Sequence, residues 1–267
     1  MRILLAPDSF KEAASAEAIA QAMARGIKRG DPQAECRLLP LSDGGEGLTH
    51  ALVHATGGTL HDVETVDAVG RPIIAQFGFL GNRHTSRTAV VELASASGLE
   101  QVSPADRDPM AASTFGTGLL IRAAIDAGAD RIVLGLGGSA TTDGGTGLAH
   151  AFGFRFLDAH DSDIPLGGGA LVDLARIDDS RVSDSIKNVP IVLACDVTNP
   201  LTGPEGAAHV FAPQKGATAT QSSFSIRGLR ISRAQSCNIT AAISSTLRER
   251  ALREVPEVAC LACSTQQ

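Results

Sequence analysis

The sequence has no tryptophan, no tyrosine and only nine phenylalanines among its 267 residues. Proteins that hold single-stranded nucleic acid stack its bases on aromatic side chains, and those that hold its backbone present a basic face. Here 23 Lys and Arg stand against 29 Asp and Glu, which gives a formal net charge of −6. Both absences lead us to expect no nucleic-acid partner.

Long apolar runs and a cysteine framework are missing as well. No apolar run reaches the roughly 20 residues that a membrane-spanning helix needs, so we expect no membrane partner. The N-terminal segment Met1–Asp8 is too short and becomes acidic too soon to be a signal peptide. We interpret it as a first strand. The five cysteines are odd in number and scattered, which is unlike a disulfide framework. We therefore expect a cytoplasmic protein.

The composition changes near residue 221. Residues 1–220 contain 27 of the 28 glycines, 26 acidic residues and 17 basic ones, which gives a net charge of −9. Residues 221–267 contain one glycine, three acidic residues and six arginines, which gives a net charge of +3. Such a change is typical either of a linker and tail or of a shifted reading frame. We favour the shifted frame and expect residues 221–267 to be a poorly ordered tail without a function.

Strand-like and helical patterns alternate at the start of the chain. Ile3–Ala6 and Cys36–Leu41 are predicted strands. Between them the spacing predicts a helix over Ala16–Arg29 with Ser15 as its N-cap. This order is typical of a layered α/β domain.

The pattern changes after residue 58. Thr59–Val66 and the two strand-like runs that follow it are joined by turns, which is typical of a meander. We therefore predict an α/β protein with a two-domain fold. Residues 1–66 are expected to form the N-terminal part of a layered α/β domain. Residues 67–220 form a second, mixed α/β domain.

Reactive groups follow four predicted strands, which are Ile3–Ala6, Cys36–Leu41, Arg131–Leu136 and Val189–Cys195. In open α/β sheets ligands bind beyond the carboxyl ends of the strands, so these groups can meet at one edge. Glycines let backbone N–H groups approach phosphate oxygens, and carboxylates can hold Mg²⁺ or accept a hydroxyl proton. The pattern favours a phosphoryl-transfer site. The four segments are Asp8–Lys11, Ser42–Gly47, Gly135–Gly145 and Cys195–Pro200.

Each of these segments also has another interpretation, since Asp43–Gly45 can be a plain turn and Lys11 a solvated lysine. Gly137–Asp143 can be a tight turn that Asp143 caps, and Asp196 can be a turn former. Gly135, Gly137 and Ala140 also satisfy the relaxed dinucleotide fingerprint, with Asp158 near the usual ribose-binding distance. A nucleotide-dependent oxidoreductase is therefore an alternative to a kinase.

Five segments of the chain carry a joint family resemblance. They are Ala6–Lys11, Ser42–Gly47, Ser113–Gly118, Leu134–Gly147 and Ala194–Ala217. In this order and spacing they resemble the bacterial glycerate kinases of type I, over roughly residues 1–217. The resemblance implies ATP-dependent phosphorylation of glycerate, at the 2-hydroxyl, with Mg²⁺. It also implies a two-domain fold in which both ends of the chain build one domain.

The expected site residues combine the strand-end hypothesis with this resemblance. Lys11, Asp43 and Asp196 are the candidate catalytic residues, and Asp196 is also the candidate metal ligand. Asp43 or Asp196 would position Mg²⁺ or take the proton from the hydroxyl of glycerate, and Lys11 or Lys215 would offset the phosphate charge. The expected ATP-binding residues are Gly137, Gly138, Ser139, Ala140, Thr141, Asp143 and Lys215. The expected glycerate-binding residues are Ser9, Phe10, Gly44, Gly45 and Glu46.

The last part of the chain departs from the family pattern. Family members continue after Gln214–Ala217 with a helix, a Gly/Ala-rich loop and a Gly-Glu-Gly strand end, and residues 221–267 contain none of these. The chain resembles a truncated or frame-shifted glycerate kinase, so we expect little or no activity from the 267-residue form. A non-catalytic remnant is thus a third alternative. The expected partners are ATP and glycerate, and a homo-oligomer is left open.

Overall fold

The computed structural model describes residues 1–10, 13–42, 44–81, 86–195, 199, 205–218 and 221. Within them the chain forms one five-stranded sheet and two sheets of two strands each. The strands are β1 (Arg2–Leu5), β2 (Glu35–Leu38), β3 (Thr59–Val66), β4 (Pro72–Phe79), β5 (Thr88–Glu92), β6 (Arg131–Gly135), β7 (Arg155–Leu157), β8 (Arg176–Asp178) and β9 (Ile191–Ala194). The helices are α1 (Ala16–Gly30), α2 (Leu48–Thr56), α3 (Leu93–Ser97), α4 (Phe115–Asp126), α5 (Thr146–Ala151), α6 (Asp184–Lys187) and α7 (Ala207–Phe211).

The first β-α-β unit forms as predicted. β1 and β2 pair in parallel, with Arg2 opposite Glu35, and α1 connects them. The hydroxyl of Ser15 accepts a hydrogen bond from the backbone N–H of Ala18 at 3.2 Å, which confirms the N-cap. The helix then ends at Gly30, one residue beyond the predicted end.

The central sheet combines a meander with parallel strands. β3, β4 and β5 pair antiparallel in chain order, which confirms the meander, while β5, β6 and β9 are parallel. β3 pairs with β4 from Thr59–Phe79 to Val66–Pro72. A boundary at residue 66 therefore separates two paired strands, and this pairing favours an earlier one. The two-domain division itself stays a prediction.

The hydrophobic core lies between the central sheet and the helices that cover it. Ile132 on β6 and the α4 residues Leu120 and Ile121 are fully buried within it. α4 contacts β3, β4 and β5 on the sheet and packs against α5. Helices packed on a mixed sheet confirm the α/β class. None of the helices in the described ranges has the length and hydropathy needed to cross a bilayer.

Strand register places three carboxyl ends side by side. Glu92 at the end of β5 lies opposite Gly135 at the end of β6, and Gly135 lies opposite Ala194 at the end of β9. The chain leaves the sheet at these three points along one edge. In open α/β sheets this edge is where ligands bind.

Candidate functional site

Two glycine loops meet at this carboxyl edge. The backbone N–H of Gly137, just past β6, donates to the carbonyl oxygen of Gly44 at 3.2 Å. The backbone N–H of Leu136 donates to the carbonyl oxygen of Ala194 at 3.2 Å. The loop before α2, the loop after β6 and the end of β9 are thus joined through their backbones.

Both loops need glycine because their backbones approach so closely. Gly44 has a φ of +94°, and a Cβ added to it would lie 2.8 Å from the carbonyl oxygen of Ala194. A Cβ added to Gly137 would lie 2.5 Å from the Cα of Gly45. Real Cβ atoms do not make such approaches. Backbone N–H groups with no side chain over them can instead face a ligand, as in phosphate-binding loops.

Lys215 forms hydrogen bonds with residues 139 and 141 of the loop that follows β6. The Nζ of Lys215 donates to the hydroxyl of Ser139 at 2.8 Å and to the carbonyl oxygen of Thr141 at 2.5 Å. Desolvation lowers the pKa of Lys215 to about 8, although the nearby charge of Asp143 acts in the opposite direction. Below pH 8 the loop therefore carries a positive charge, as a phosphate site requires.

Asp143 is a buried anchor of the loop. Its side chain is 1% exposed and accepts hydrogen bonds from the backbone N–H groups of Thr114, Gly145 and Gly147 and from the hydroxyl of Thr114, at 2.8 to 3.1 Å. The carboxylate thereby joins the start of α4 to the start of α5. These contacts match the interpretation of Asp143 as a cap, so its contribution to a ligand site would be positional.

Three glutamates surround the start of α2. The carboxylate of the buried Glu92 accepts from the backbone N–H of Gly47 at 3.0 Å and of Thr49 at 2.5 Å, and so caps the helix from β5. Desolvation raises the pKa of Glu46, and its hydrogen bond with Glu100 raises it further. Glu46 thus keeps its proton to a higher pH than an isolated glutamate would.

The Ser9–Phe10 segment lies near the same loop through its chain neighbours. The backbone N–H of Leu41 donates to the carbonyl oxygen of Pro7 at 2.9 Å, which places residues 7 and 41 side by side. Ser9 itself bonds to the carboxylate of Asp8, and Phe10 exchanges backbone hydrogen bonds with Ala14. The ring of Phe10 is 64% exposed. Ser9 and Phe10 form no hydrogen bond to the glycine loops in the described part of the chain.

The three candidate catalytic residues, Lys11, Asp43 and Asp196, lie outside the described residues. Their chain neighbours Gly44 and Cys195 are described, and Gly44 approaches the end of β9 as stated above. Within the described ranges, no group of three or more His, Cys, Asp or Glu side chains could hold a metal ion. The described residues therefore do not form a protein cage for Mg²⁺.

Comparisons with known proteins agree with this arrangement. The family model described as "Glycerate kinase family" matches residues 3–246. The chain belongs to this family. The match passes residue 221, where the composition changes, and the shifted-frame interpretation of the tail stays a prediction.

Curated relatives and a solved structure carry the same family assignment. The chain is 52% identical over 219 residues to a protein named Glycerate kinase from Bacillus subtilis (strain 168), and 43% identical over 218 residues to Glycerate 2-kinase from Escherichia coli (strain K12). Each match covers 82% of this chain and 56% of the relative. A structure described as glycerate kinase 2 from Salmonella typhimurium LT2 superposes with a TM-score of 0.76 at 43% identity, over 98% of this chain and 66% of that one. The chain thus spans just over half the length of these curated relatives.

The topology of this glycerate kinase family member removes the basis for the oxidoreductase alternative. A dinucleotide fingerprint needs a helix directly after the glycines and a parallel strand beyond it. Here α5 begins only at Thr146, and β7 lies in a separate antiparallel sheet with β8. Asp158 accepts from the backbone N–H groups of His160 and Ser162, as in a local turn. The fingerprint match is therefore coincidental.

Sequence patterns did not indicate the role of Glu92 or that of the Ser113–Thr114 pair. Glu92 ends an apolar strand, and such a buried acid at a strand end is a signal that could have been used. The Ser113–Gly118 segment was noted only as part of the resemblance. Nothing in its sequence shows that Thr114 bonds to Asp143, 29 residues away.

Proposed function

We propose that the protein transfers the terminal phosphoryl group of ATP to the 2-hydroxyl of glycerate, giving 2-phosphoglycerate and ADP. The observation that carries this proposal is the junction of the Gly44 and Gly137 loops beside the end of β9, with Lys215 on the adjacent loop. Backbone N–H groups and a lysine are the usual ligands of phosphate. The name of the Escherichia coli relative, Glycerate 2-kinase, supports the 2-hydroxyl as the acceptor.

The ATP end of the proposed site is the loop from Gly137 to Thr141. Apart from the N–H groups of Gly137 and Ala140, which bond to Gly44 and Ser97, its backbone faces the phosphates together with the hydroxyl of Ser139. Lys215 offsets the phosphate charge. Asp143, at the C-terminal end of this loop, anchors it through hydrogen bonds from the backbone N–H groups of Thr114 and Gly147. Phosphoryl transfer depends mostly on positioning and charge stabilisation, so a pre-formed loop of this kind is a large part of the catalyst.

The glycerate end is proposed at the start of α2. Gly44 and Gly45 supply backbone there, Ser9 and Phe10 border it, and Glu46 can hydrogen-bond a hydroxyl of the substrate. Two neighbouring carboxylates would repel the carboxylate of glycerate. Burial and the neighbouring carboxyl of Glu100 raise the pKa of Glu46, which favours its neutral form and would reduce this repulsion.

The transfer step needs a base and a phosphate clamp. The oxygen of the 2-hydroxyl forms a bond to the γ-phosphorus, the bond from that phosphorus to the β–γ bridging oxygen breaks, and ADP leaves. Asp43 or Asp196 is the proposed acceptor of the hydroxyl proton, and Lys11 is proposed to stabilise the charge. Mg²⁺, when bound, would screen the phosphates, and Asp196 is its proposed ligand.

A coupled assay of ADP release tests the proposal. We expect release that requires glycerate, with phosphorus NMR identifying 2-phosphoglycerate. Asp43→Asn and Asp196→Asn should each lower kcat by about 10²–10⁴-fold, since proton transfer by a side chain contributes about that much. Asp130→Asn is the matched control, because Asp130 is exposed just before β6. Normal turnover in both site variants would contradict the assignment.

The composition of residues 221–267 favours a second candidate, a chain that binds its ligands with little or no turnover. Those residues contain a single glycine and no aspartate, unlike the rest of the chain. The same assay decides between the two. Ordinary turnover by the 267-residue chain would refute the inactive form, whereas ATP binding without ADP release would support it.

A further inference from the structure

Arg107 is a half-buried arginine that the proposed site does not yet use. It lies between the 3-10 helix Leu99–Gln101 and α4. Its Nε is buried and has no hydrogen-bond partner, and its Nη2 makes one long bond of 3.4 Å to the carbonyl oxygen of Leu99. No ion pair joins it to a carboxylate within the described ranges. A guanidinium has five N–H donors, so most of its capacity is open.

The guanidinium lies beside the loop proposed for ATP. Leu99, which accepts the bond from Arg107, donates its own backbone N–H to the carbonyl oxygen of Gly138 at 2.8 Å. The backbone of residues 97–99 holds this loop at a second point, where Ala140 donates to the carbonyl oxygen of Ser97 at 2.9 Å. Leu99 thus connects the guanidinium of Arg107 to the loop backbone through two hydrogen bonds.

Lys215 reaches the same loop from a turn that packs on Arg107. A Cβ added to Gly216 would lie 3.0 Å from the carbonyl oxygen of Arg107 and 3.1 Å from its Cβ. The Nζ of Lys215 bonds to Ser139 and Thr141. Two cationic side chains therefore flank residues 138–141, and the turn that carries one of them rests on the other.

We propose that Arg107 is a phosphate-binding residue that holds the triphosphate of ATP together with Lys215. This inference rests on the proposed function and adds a ligand to its nucleotide end. The planar fork of arginine fits two phosphate oxygens at once, whereas the ammonium of lysine acts as a point charge. An anion in this position would satisfy the open donors of Arg107. The highly charged triphosphate fits two cations better than glycerate, which carries one negative charge.

Calorimetry on the 267-residue chain at pH 7 tests this assignment with ATP and with inorganic triphosphate as probes. Arg107→Met should weaken both by about 10–100-fold, the usual value of a charge-assisted hydrogen bond. Arg107→Lys keeps the charge but loses the fork, so it should weaken both by at least about threefold. Arg122→Met is the matched control, because Arg122 also makes one 3.4 Å bond to a backbone carbonyl, that of Ala151. It should change neither affinity by more than about twofold.

The same measurements separate the ways in which the inference can fail. Unchanged ATP affinity in Arg107→Met overturns it, as does a loss for ATP without a loss for triphosphate. A further titration with glycerate completes the set: a loss of affinity for glycerate alone would assign Arg107 to the carboxylate and also overturn it. Should Arg107→Met fail to fold, as judged by its ligand-free thermal unfolding, unchanged affinity in Arg107→Lys overturns it instead. Failure of the unaltered chain to bind ATP or triphosphate would reject the proposed function, and this inference with it.

Discussion

The N-terminal unit (residues 1–42) and the central region (residues 59–195) differ sharply in burial. In the N-terminal unit a two-stranded sheet leaves Leu4 on β1 57% exposed. In the central region the β5 residues Val90 and Val91 are fully buried. The main hydrophobic core lies entirely in the central region.

This difference in burial suggests that the central region contributes most of the stability, while the N-terminal unit contributes residues to the proposed site. The central region supplies most of the buried apolar surface, and therefore most of the free energy of folding. The N-terminal unit carries the Ser9–Phe10 segment of the proposed glycerate end, and the Gly44 loop that follows this unit bonds to Gly137 at the edge of the central sheet. Matched substitutions in the two regions can break or sharpen this division.

Core truncation should show the largest contrast. Ile132→Ala removes a fully buried side chain from β6 and should lower the free energy of unfolding by about 2–5 kcal/mol. Ile3→Ala on β1 removes a half-buried side chain and should cost about 1 kcal/mol or less. Urea denaturation measures both values. Equal losses would show that the two regions contribute alike to stability.

Loss of a carboxylate should show the next largest contrast. Asp143→Ala leaves several buried donors without an acceptor and should lower the free energy of unfolding by about 3 kcal/mol. Asp31→Ala at the end of α1 removes one bond, to the backbone N–H of Gln33, and should change it by less than about 0.5 kcal/mol. Thermal unfolding of both variants checks this. A small loss of stability in Asp143→Ala would mean that water replaces the hydrogen bonds of the carboxylate.

Two glycine-to-alanine substitutions should change the free energy of unfolding in opposite directions. Gly137→Ala places a Cβ 2.5 Å from the Cα of Gly45, so the loops must separate and the free energy of unfolding should fall by about 1–3 kcal/mol. Gly26→Ala lies inside α1 with nothing within 4 Å, so it should raise that energy by about 0.5–1 kcal/mol. Urea denaturation gives both signs, and a stable Gly137→Ala would argue against a tight junction.

The pH dependence of ATP binding should show the smallest effect. The pKa of Lys215 is lowered to about 8, so its ammonium is charged below that pH and becomes neutral above it. The contribution of Lys215 to affinity is therefore present below pH 8, and the Kd for ATP should rise by up to about tenfold per pH unit above it. Titrations from pH 6.5 to 9.5 measure this.

Two variants control the pH experiment. Lys215→Arg should flatten the dependence, because arginine stays charged throughout this range. Lys28→Met, which changes an exposed lysine on α1, should leave the midpoint where it is. A midpoint near 8 that persists in Lys215→Arg would assign the titration to another group.

Local patterns were enough to predict the first β-α-β unit and the meander that follows it. The apolar spacing of α1 and the hydroxyl of Ser15 define that helix within one residue, because caps and periodicity are properties of neighbouring residues. The meander was predicted for the same reason. The domain boundary at residue 66 stays a prediction, because a division into domains depends on contacts between separate segments, such as the pairing of β3 with β4.

Part of the candidate site was also open to prediction. Gly44, Gly137 and Lys215 were expected to belong together, and the structure brings their loops into contact or near contact. Asp143 was expected in the nucleotide site, yet its hydrogen bonds hold α4 and α5. Glu92 was missed because its partners are the backbone N–H groups of a helix 45 residues away.

By itself the sequence determined the first helix, the strands of the meander and the glycine loops, because spacing, capping and the absence of a Cβ act within a few residues. It also carried the family membership through five short segments. Only the tertiary structure decided that β5, β6 and β9 end at one edge. The same holds for the bond from Lys215 to Ser139 and for the packing of the turn at Lys215 and Gly216 on Arg107. These contacts join residues tens of positions apart, and their energies depend on packing and desolvation that exist only once the chain has folded.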